Sequence, residues 1–106
     1  MRVLFEQGTL VPLRSFLDSH TVVTAYEMGW SRTRNGDLLR LAAQQMFEVF
    51  ITTDQNLKHQ QNLANRKIAI VVLPTTSWPV IQKYTAKIAA VLESIAPGDF
   101  IEIDFL

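Results

Sequence analysis

Short apolar runs alternate with amphipathic segments along the chain. Four runs are centred on Val, Ile, Leu or Phe and predict strands: residues 2–5, 20–25, 49–51 and 67–73. The third and fourth runs have no polar face, which is typical of strands in a sheet that is covered on both sides. Residues 100–105 instead alternate apolar and acidic side chains, which predicts an edge strand with one face in water.

The segments between these runs have the spacing of amphipathic helices. Thr9 can cap the first helix, residues 37–46 form the second, and Ser77 can cap a third that continues to Ile95. The apolar face of the first helix consists of Leu10, Leu13, Phe16 and Leu17. Alternating strands and helices favour an α/β fold with a parallel sheet. We predict a three-layer α/β/α sandwich with five strands in the order 2-1-3-4-5, which places strand 1 beside strand 3.

Acidic residues stand where two of these strands end and where the second helix begins. Glu6 follows strand 1, Asp54 follows strand 3, and Asp37 lies in the first turn of the helix. In the predicted order all three reach the carboxyl edge of the sheet, where open α/β sheets bind ligands. Such a set of carboxylates suits a hard cation, Mg²⁺ or Mn²⁺, and these ions catalyse phosphodiester hydrolysis. Each acid also has a structural interpretation, because carboxylates accept backbone amides at helix starts and stabilise a first turn.

Polar and basic residues around this edge are candidate contacts for a nucleic acid. Cationic side chains can bind phosphates, and amide side chains can read unpaired bases. The candidate substrate-binding residues are Arg32, Arg34, Asn35, Thr53, Asn56 and Lys58, and the amides of Gln60, Gln61 and Asn62 follow them in the same loop.

Composition narrows the class of protein. The 106 residues carry no net charge, so binding of nucleic acid by a strongly basic surface is excluded and contacts must be local. Cysteine is absent and there are two histidines, which excludes disulfides and thiolate metal sites and disfavours zinc. The longest apolar run is far shorter than the roughly 20 residues that span a membrane. We expect a single cytoplasmic domain over residues 1–106 that does not enter a membrane.

Several short motifs are distinctive, and the first three are Y-E-M-G-W at 26–30, N-G-D-L-L at 35–39 and T-T-D-Q-N-L at 52–57. Three more are F-E-Q-G-T at 5–9, Q-Q-N-L at 60–63 and T-T-S-W-P at 75–79. Together they resemble the small stand-alone PIN-like proteins, bacterial relatives of the Mut7-C domain and of the PIN ribonucleases of toxin–antitoxin systems, and the last three look like marks of one subgroup. The likeness covers nearly the whole chain, and its most specific part is the T-x-D stretch with the Gln-Gln-Asn loop.

The resemblance implies a ribonuclease whose acids bind Mg²⁺ or Mn²⁺. Glu6 stands where the family usually has Asp, Asp37 where an acid opens the helix, and Asp54 is the acid of the T-x-D motif. Asn35 stands where many relatives have an acid. We therefore expect a metal-dependent ribonuclease that acts as a toxin paired with an antitoxin protein.

Two other functions stay open. One is a catalytically weak or inactive PIN-like module that binds RNA or a partner protein. The other is a nucleotide- or phosphate-binding domain. The sequence has no G-x-G-x-x-G or P-loop motif, which argues against this function. We also expect a homodimer, because so small a domain cannot easily cover Trp78, Tyr84, Ile101, Ile103 and Phe105.

Overall fold

Five parallel strands form the central sheet of this computed structural model, which describes residues 1–6, 11–59 and 66–105. The strands run in the spatial order β2-β1-β3-β4-β5 and every neighbouring pair is parallel. This confirms the predicted fold class and strand order. The strands are β1 (Arg2–Phe5), β2 (Thr21–Thr24), β3 (Val49–Thr52), β4 (Ala69–Val72) and β5 (Phe100–Glu102).

Helices connect the strands. The α-helices are α1 (Asn35–Gln44), α2 (Trp78–Ile81) and α3 (Thr85–Ser94), and the 3-10 helices are η1 (Val11–Phe16), η2 (Leu57–His59) and η3 (Gln82–Tyr84). The predicted single helix from Ser77 to Ile95 is thus divided into α2, η3 and α3. The division falls at Tyr84, whose backbone leaves helical geometry at φ −123° and ψ 16°. None of the helices in the described part of the chain is long and apolar enough to cross a membrane.

Each face of the sheet carries its own apolar core, because successive side chains of a strand point to opposite faces. On one face, Val3 and Phe5 pack with residues of η1, α2 and α3. On the other face, Leu4 and Phe50 pack with residues of α1 and η2. The two layers of helices make the three-layer sandwich that the sequence predicts. Both faces of β3 and β4 are buried, which explains why these strands are apolar throughout.

The register of the three strands β2, β1 and β3 brings their carboxyl ends to one edge. Phe5 lies opposite Thr24 on one side and Ile51 on the other. The next backbone amides continue the two ladders, since Glu6 N–H donates to the Ile51 carbonyl at 3.0 Å and Ala25 N–H donates to the Phe5 carbonyl at 2.9 Å. Glu6 is therefore level with the last residue of β3.

The structure differs from the prediction at two apolar positions. Phe16 was expected in the core, but it is 49% exposed and its ring packs against Trp78 with centroids 5.9 Å apart. Phe105 was expected to leave an apolar face open, but it is buried and its ring stacks on Tyr84 at 4.3 Å. Ile103 is also buried in the same core. Part of the apolar surface that suggested a homodimer is thus covered within the chain, and the homodimer stays a prediction.

Two predicted caps have different outcomes. Ser77 precedes α2 as expected, but its side chain makes no capping hydrogen bond. Thr9 and Leu10, at the predicted start of the first helix, lie outside the described residues.

Candidate functional site

Asp54 lies just beyond β3 and is held by three hydrogen bonds. Its Oδ2 accepts from Asn35 Nδ2 at 2.8 Å, and its Oδ1 accepts from the backbone N–H of Asn56 at 2.9 Å. Its own N–H donates to Thr52 Oγ1 at 3.0 Å. An ionised carboxylate has about four acceptor positions. The two donors fix the orientation of Asp54 and leave each of its oxygens able to accept or coordinate once more.

Asn35 is the first residue of α1, so its bond to Asp54 ties the start of this helix to the end of β3. Arg34 precedes the helix in an extended conformation (φ −72°, ψ 154°) and its side chain does not cap it. The amide groups of the first helical turn have no acceptor within a helix. The positive end of the α1 macrodipole therefore lies at the end of the helix that contacts Asp54.

Glu6 lies on the strand that neighbours β3. Its side chain is only 8% exposed, although carboxylates are rarely buried without donors or a cation. Since Phe5 points into the core below η1 and α3, the alternation of the strand directs Glu6 to the α1 face, the face of Leu4. Glu6 and Asp54 thus follow adjacent strands at the edge where α1 begins.

Asp37 is placed differently from the other two acids. Its side chain is 66% exposed and its Oδ1 lies 3.6 Å from Arg40 Nη2, one turn further along α1. Among residues 1–6, 11–59 and 66–105, no three or more His, Asp or Glu side chains are grouped so that they could hold a metal ion. The structure therefore brings Glu6 and Asp54 to one edge and leaves Asp37 in an ion pair on the surface of its helix.

A pair of carboxylates still fits one of the predicted ions. Mg²⁺ keeps several of its waters and is usually bound through one or two carboxylates, so it does not require a third acid. Glu6 and Asp54 are the oxygen ligands that this edge offers, and the Asn35 amide holds one of them in position. The three-acid site, including Asp37, stays a prediction.

The predicted substrate-binding residues surround the same edge. Arg32 and Arg34 are exposed in the segment that leads into α1, and Asn56 is exposed in the turn after Asp54. Thr53 is half-buried, and its carbonyl accepts a hydrogen bond from Gln55 Nε2 at 3.2 Å.

Lys58, another predicted substrate-binding residue, forms an ion pair with an acidic side chain. Its Nζ lies 3.5 Å from Glu102 Oε2, and both side chains are nearly half exposed, so this ion pair is weak and exchangeable. Its ammonium group can turn to a phosphate at little cost. Gln60, Gln61 and Asn62, whose amides follow in the loop, lie outside the described residues.

Gln55 has a structural role that the sequence did not reveal. Its Nε2 donates to the Leu73 carbonyl at 2.6 Å and thereby connects the ends of β3 and β4. The position looked like an ordinary loop amide, and only the adjacency of the two strands identifies its partner.

Glu27, within the Y-E-M-G-W motif, also has a structural role, because it holds the turn after β2. Its Oε1 accepts from the backbone N–H of Thr24 at 2.9 Å, and Thr24 Oγ1 accepts from the Glu27 N–H at 3.1 Å. Arg14 adds a paired contact to both carboxylate oxygens, at 2.6 and 3.3 Å. The Thr24 amide and then Arg14 lower the pKa of Glu27. The Thr-x-x-Glu spacing of a capping box was the sequence signal for this pair.

Comparisons of the chain with protein family models, with curated proteins and with solved structures found no match. The likeness to PIN-like proteins therefore depends on the quoted motifs alone.

Proposed function

We propose that this protein is a PIN-like ribonuclease that hydrolyses RNA phosphodiester bonds with Mg²⁺ or Mn²⁺ at the carboxyl edge of its sheet. The observation that supports it best is the contact of Asn35 with Asp54 at the edge of the sheet where the buried Glu6 also lies. A half-buried carboxylate oriented by an amide, with a second carboxylate at the end of the adjacent strand, offers oxygen ligands of the kind that a hard cation prefers.

Glu6 and Asp54 would hold the ion, which when bound would supply Lewis acidity and a more acidic water. The residues of the chain do the positioning. Asn35 holds Asp54 Oδ2, and the Asn56 amide holds Oδ1. A ligand that is fixed before the substrate arrives needs no rearrangement when charge develops in the reaction.

Single-stranded RNA is the substrate that suits the surroundings of this edge. Arg32 and Arg34 are exposed just before α1, and a guanidinium can bind a phosphate through two hydrogen bonds. The exposed amide of Asn56 can pair with the edge of an unstacked base. A chain without net charge must recognise RNA through a few such local contacts.

A second function is supported by a different observation. Asp37 forms an ion pair with Arg40, and Asn35 is an amide where many PIN-like relatives have an acid. A site with two carboxylates would bind a cation weakly, and the edge would then serve a catalytically inactive module that binds RNA or a partner protein such as an antitoxin.

Thermal melts and a cleavage assay separate the two functions. The protein and the variants Asp54→Asn and Asp18→Asn are melted with and without Mn²⁺, and each is incubated with single-stranded RNA. Asp18 is a matched control because it is exposed and precedes β2, at the opposite edge of the sheet. A ligand at 100 times its Kd stabilises the native state by about 2.7 kcal/mol.

We expect Mn²⁺ to raise the melting midpoint of the wild type and of Asp18→Asn, and both to cleave RNA. Asp54→Asn should lose the Mn²⁺ response and the cleavage together. If the wild type neither responds to Mn²⁺ nor cleaves RNA, the ribonuclease proposal is wrong, and RNA binding without cleavage would support the inactive module.

A further inference from the structure

A cavity of about 660 Å³ opens at the amino edge of the sheet, opposite the edge that carries Asp54. It lies among the first residues of β3 and β4, the last turn of α1 and the segment after α3. Its volume is within the range of roughly 300–1,000 Å³ that is typical of small-molecule sites. The main apolar residues around it are Met46, Phe47, Ile68, Ile95 and Pro97.

Met46, at the mouth of this cavity, has an unusual backbone. Its φ is +66°, in the left-handed region that usually holds glycine after a helix. The hydrogen bonds from Met46 N–H to the Ala43 carbonyl and from Phe47 N–H to the Ala42 carbonyl complete a Schellman motif at the end of α1. The left-handed conformation is sterically unfavourable for any residue with a side chain. Met46 adopts it although Met46 is 75% exposed. The fold of the helix end does not need this side chain, and it adds apolar surface to the cavity.

The charges around the cavity favour an anion. Among the described residues that border it, three are cationic, namely Arg40, Arg66 and Lys67, and one is acidic, Glu48. Glu48 Oε1 already accepts the backbone N–H of Arg2 at 3.2 Å. Arg40 lies near Asp37, at 3.6 Å and in solvent, where such pairs exchange readily.

The negative end of α1, which also borders the cavity, is largely neutralised. The carbonyls of Leu41, Ala42 and Ala43 accept backbone amides, and the Gln45 carbonyl accepts from Arg2 Nη2 at 3.2 Å. These acceptors are occupied, so they would repel an anion less than a free helix end does.

We propose that this cavity binds a small amphipathic anion, with an apolar body against Met46, Ile68 and Ile95 and an anionic head, such as a carboxylate, near Arg40 and Lys67. The apolar lining disfavours nucleotides and other polar ligands, because their polar groups would lose hydrogen bonds to water. The proposal is independent of the ribonuclease function, since the two sites lie at opposite edges of the sheet.

Decanoate, used below its micelle concentration, tests the proposal by isothermal titration calorimetry against decanol, which has the same chain without the charge. Three variants are compared with the wild type: Lys67→Gln, Met46→Gly and, as a control, Lys83→Gln. Lys67 and Lys83 are both exposed, and Lys83 lies on η3, away from the cavity. Substitution of either lysine should therefore leave the fold intact.

We expect one saturable decanoate site and binding of decanol about tenfold weaker, since a hydrogen bond to a charged group contributes about that factor. Lys67→Gln should weaken decanoate severalfold and leave decanol unchanged, whereas Met46→Gly should weaken both. Lys83→Gln should bind both ligands as the wild type does. The absence of saturable decanoate binding, or equal binding by the wild type, Lys67→Gln and Met46→Gly, would overturn the proposal.

Discussion

Replacing Asn35 by aspartate converts the donor beside Asp54 into a second negative charge. The amide nitrogen and the carboxylate oxygen are 2.8 Å apart, so the substitution removes a hydrogen bond to a charged group and sets two carboxylates together. Asn35→Ala removes the bond without adding the charge. The difference between the two variants therefore measures the repulsion, and with it the charge and proximity of Asp54.

The half-buried position of this contact determines how much unfolding free energy each substitution should remove. A hydrogen bond to a charged group contributes about 1.5 kcal/mol at the lower end of its range. Two like charges at about 4 Å repel by about 1 kcal/mol in water and about 4 kcal/mol near a protein surface. An acidic residue in the first turn of α1 also interacts favourably with the helix macrodipole, which offsets about 0.5 kcal/mol of this repulsion. We expect a loss in unfolding free energy of about 1.5 kcal/mol for Asn35→Ala and about 2–5 kcal/mol for Asn35→Asp.

Thermal melts without divalent cations provide the measurement. A difference of 1 kcal/mol shifts the midpoint of a domain of this size by about 4–8 °C, so Asn35→Asp should melt at least about 2 °C below Asn35→Ala. Adding Mn²⁺ should raise the midpoint of Asn35→Asp more than that of the wild type, because a third carboxylate joins the site. Equal stability of Asn35→Asp and Asn35→Ala in the absence of metal would contradict a charged Asp54 next to position 35.

Three other substitutions test separate parts of the structure. Met46→Gly should raise the unfolding free energy by about 0.5–1 kcal/mol in chemical denaturation, because glycine adopts the left-handed conformation without the steric cost. The amide of Thr24 and then Arg14 lower the pKa of Glu27, so Glu27 contributes stability above its ordinary pKa of 4.5 and loses it as the pH falls through the lowered value. Melting midpoints between pH 5 and pH 3 should therefore fall less steeply in Glu27→Gln than in the wild type. Phe105→Ala should cost about 3 kcal/mol in chemical denaturation, because it empties a buried aromatic position.

The strand order could be predicted because the apolar runs are simple signals. Two strands without a polar face must be central, and alternation with helices makes the sheet parallel. The alternation of residues 100–105 also predicted an edge strand, and β5 is one. The stacking of Phe105 on Tyr84 was not predictable, because β5 ends at Glu102 and the chain beyond it turns into a core formed by distant residues.

The site was predictable in part, and for a physical reason. The strand order alone places Glu6 and Asp54 after neighbouring strands. The contact of Asn35 with Asp54 depends on where α1 begins, two residues before Asp37, and Arg34 gives no capping signal for that start. A sequence pattern defines the face of a helix better than its first residue, and the place of Asp37 at the site stays a prediction, with its Oδ1 lying 3.6 Å from Arg40 Nη2.

The most direct test of the central claim is to locate bound Mn²⁺ by nuclear magnetic resonance. A paramagnetic ion broadens the signals of nearby amides, so substoichiometric Mn²⁺ reports its own position. The account predicts selective broadening of Glu6, Asn35 and Asp54 at the carboxyl edge, with Met46 and Lys67 at the opposite edge unaffected, and loss of the effect in Asp54→Asn. Uniform broadening, or none at these three residues, would contradict it.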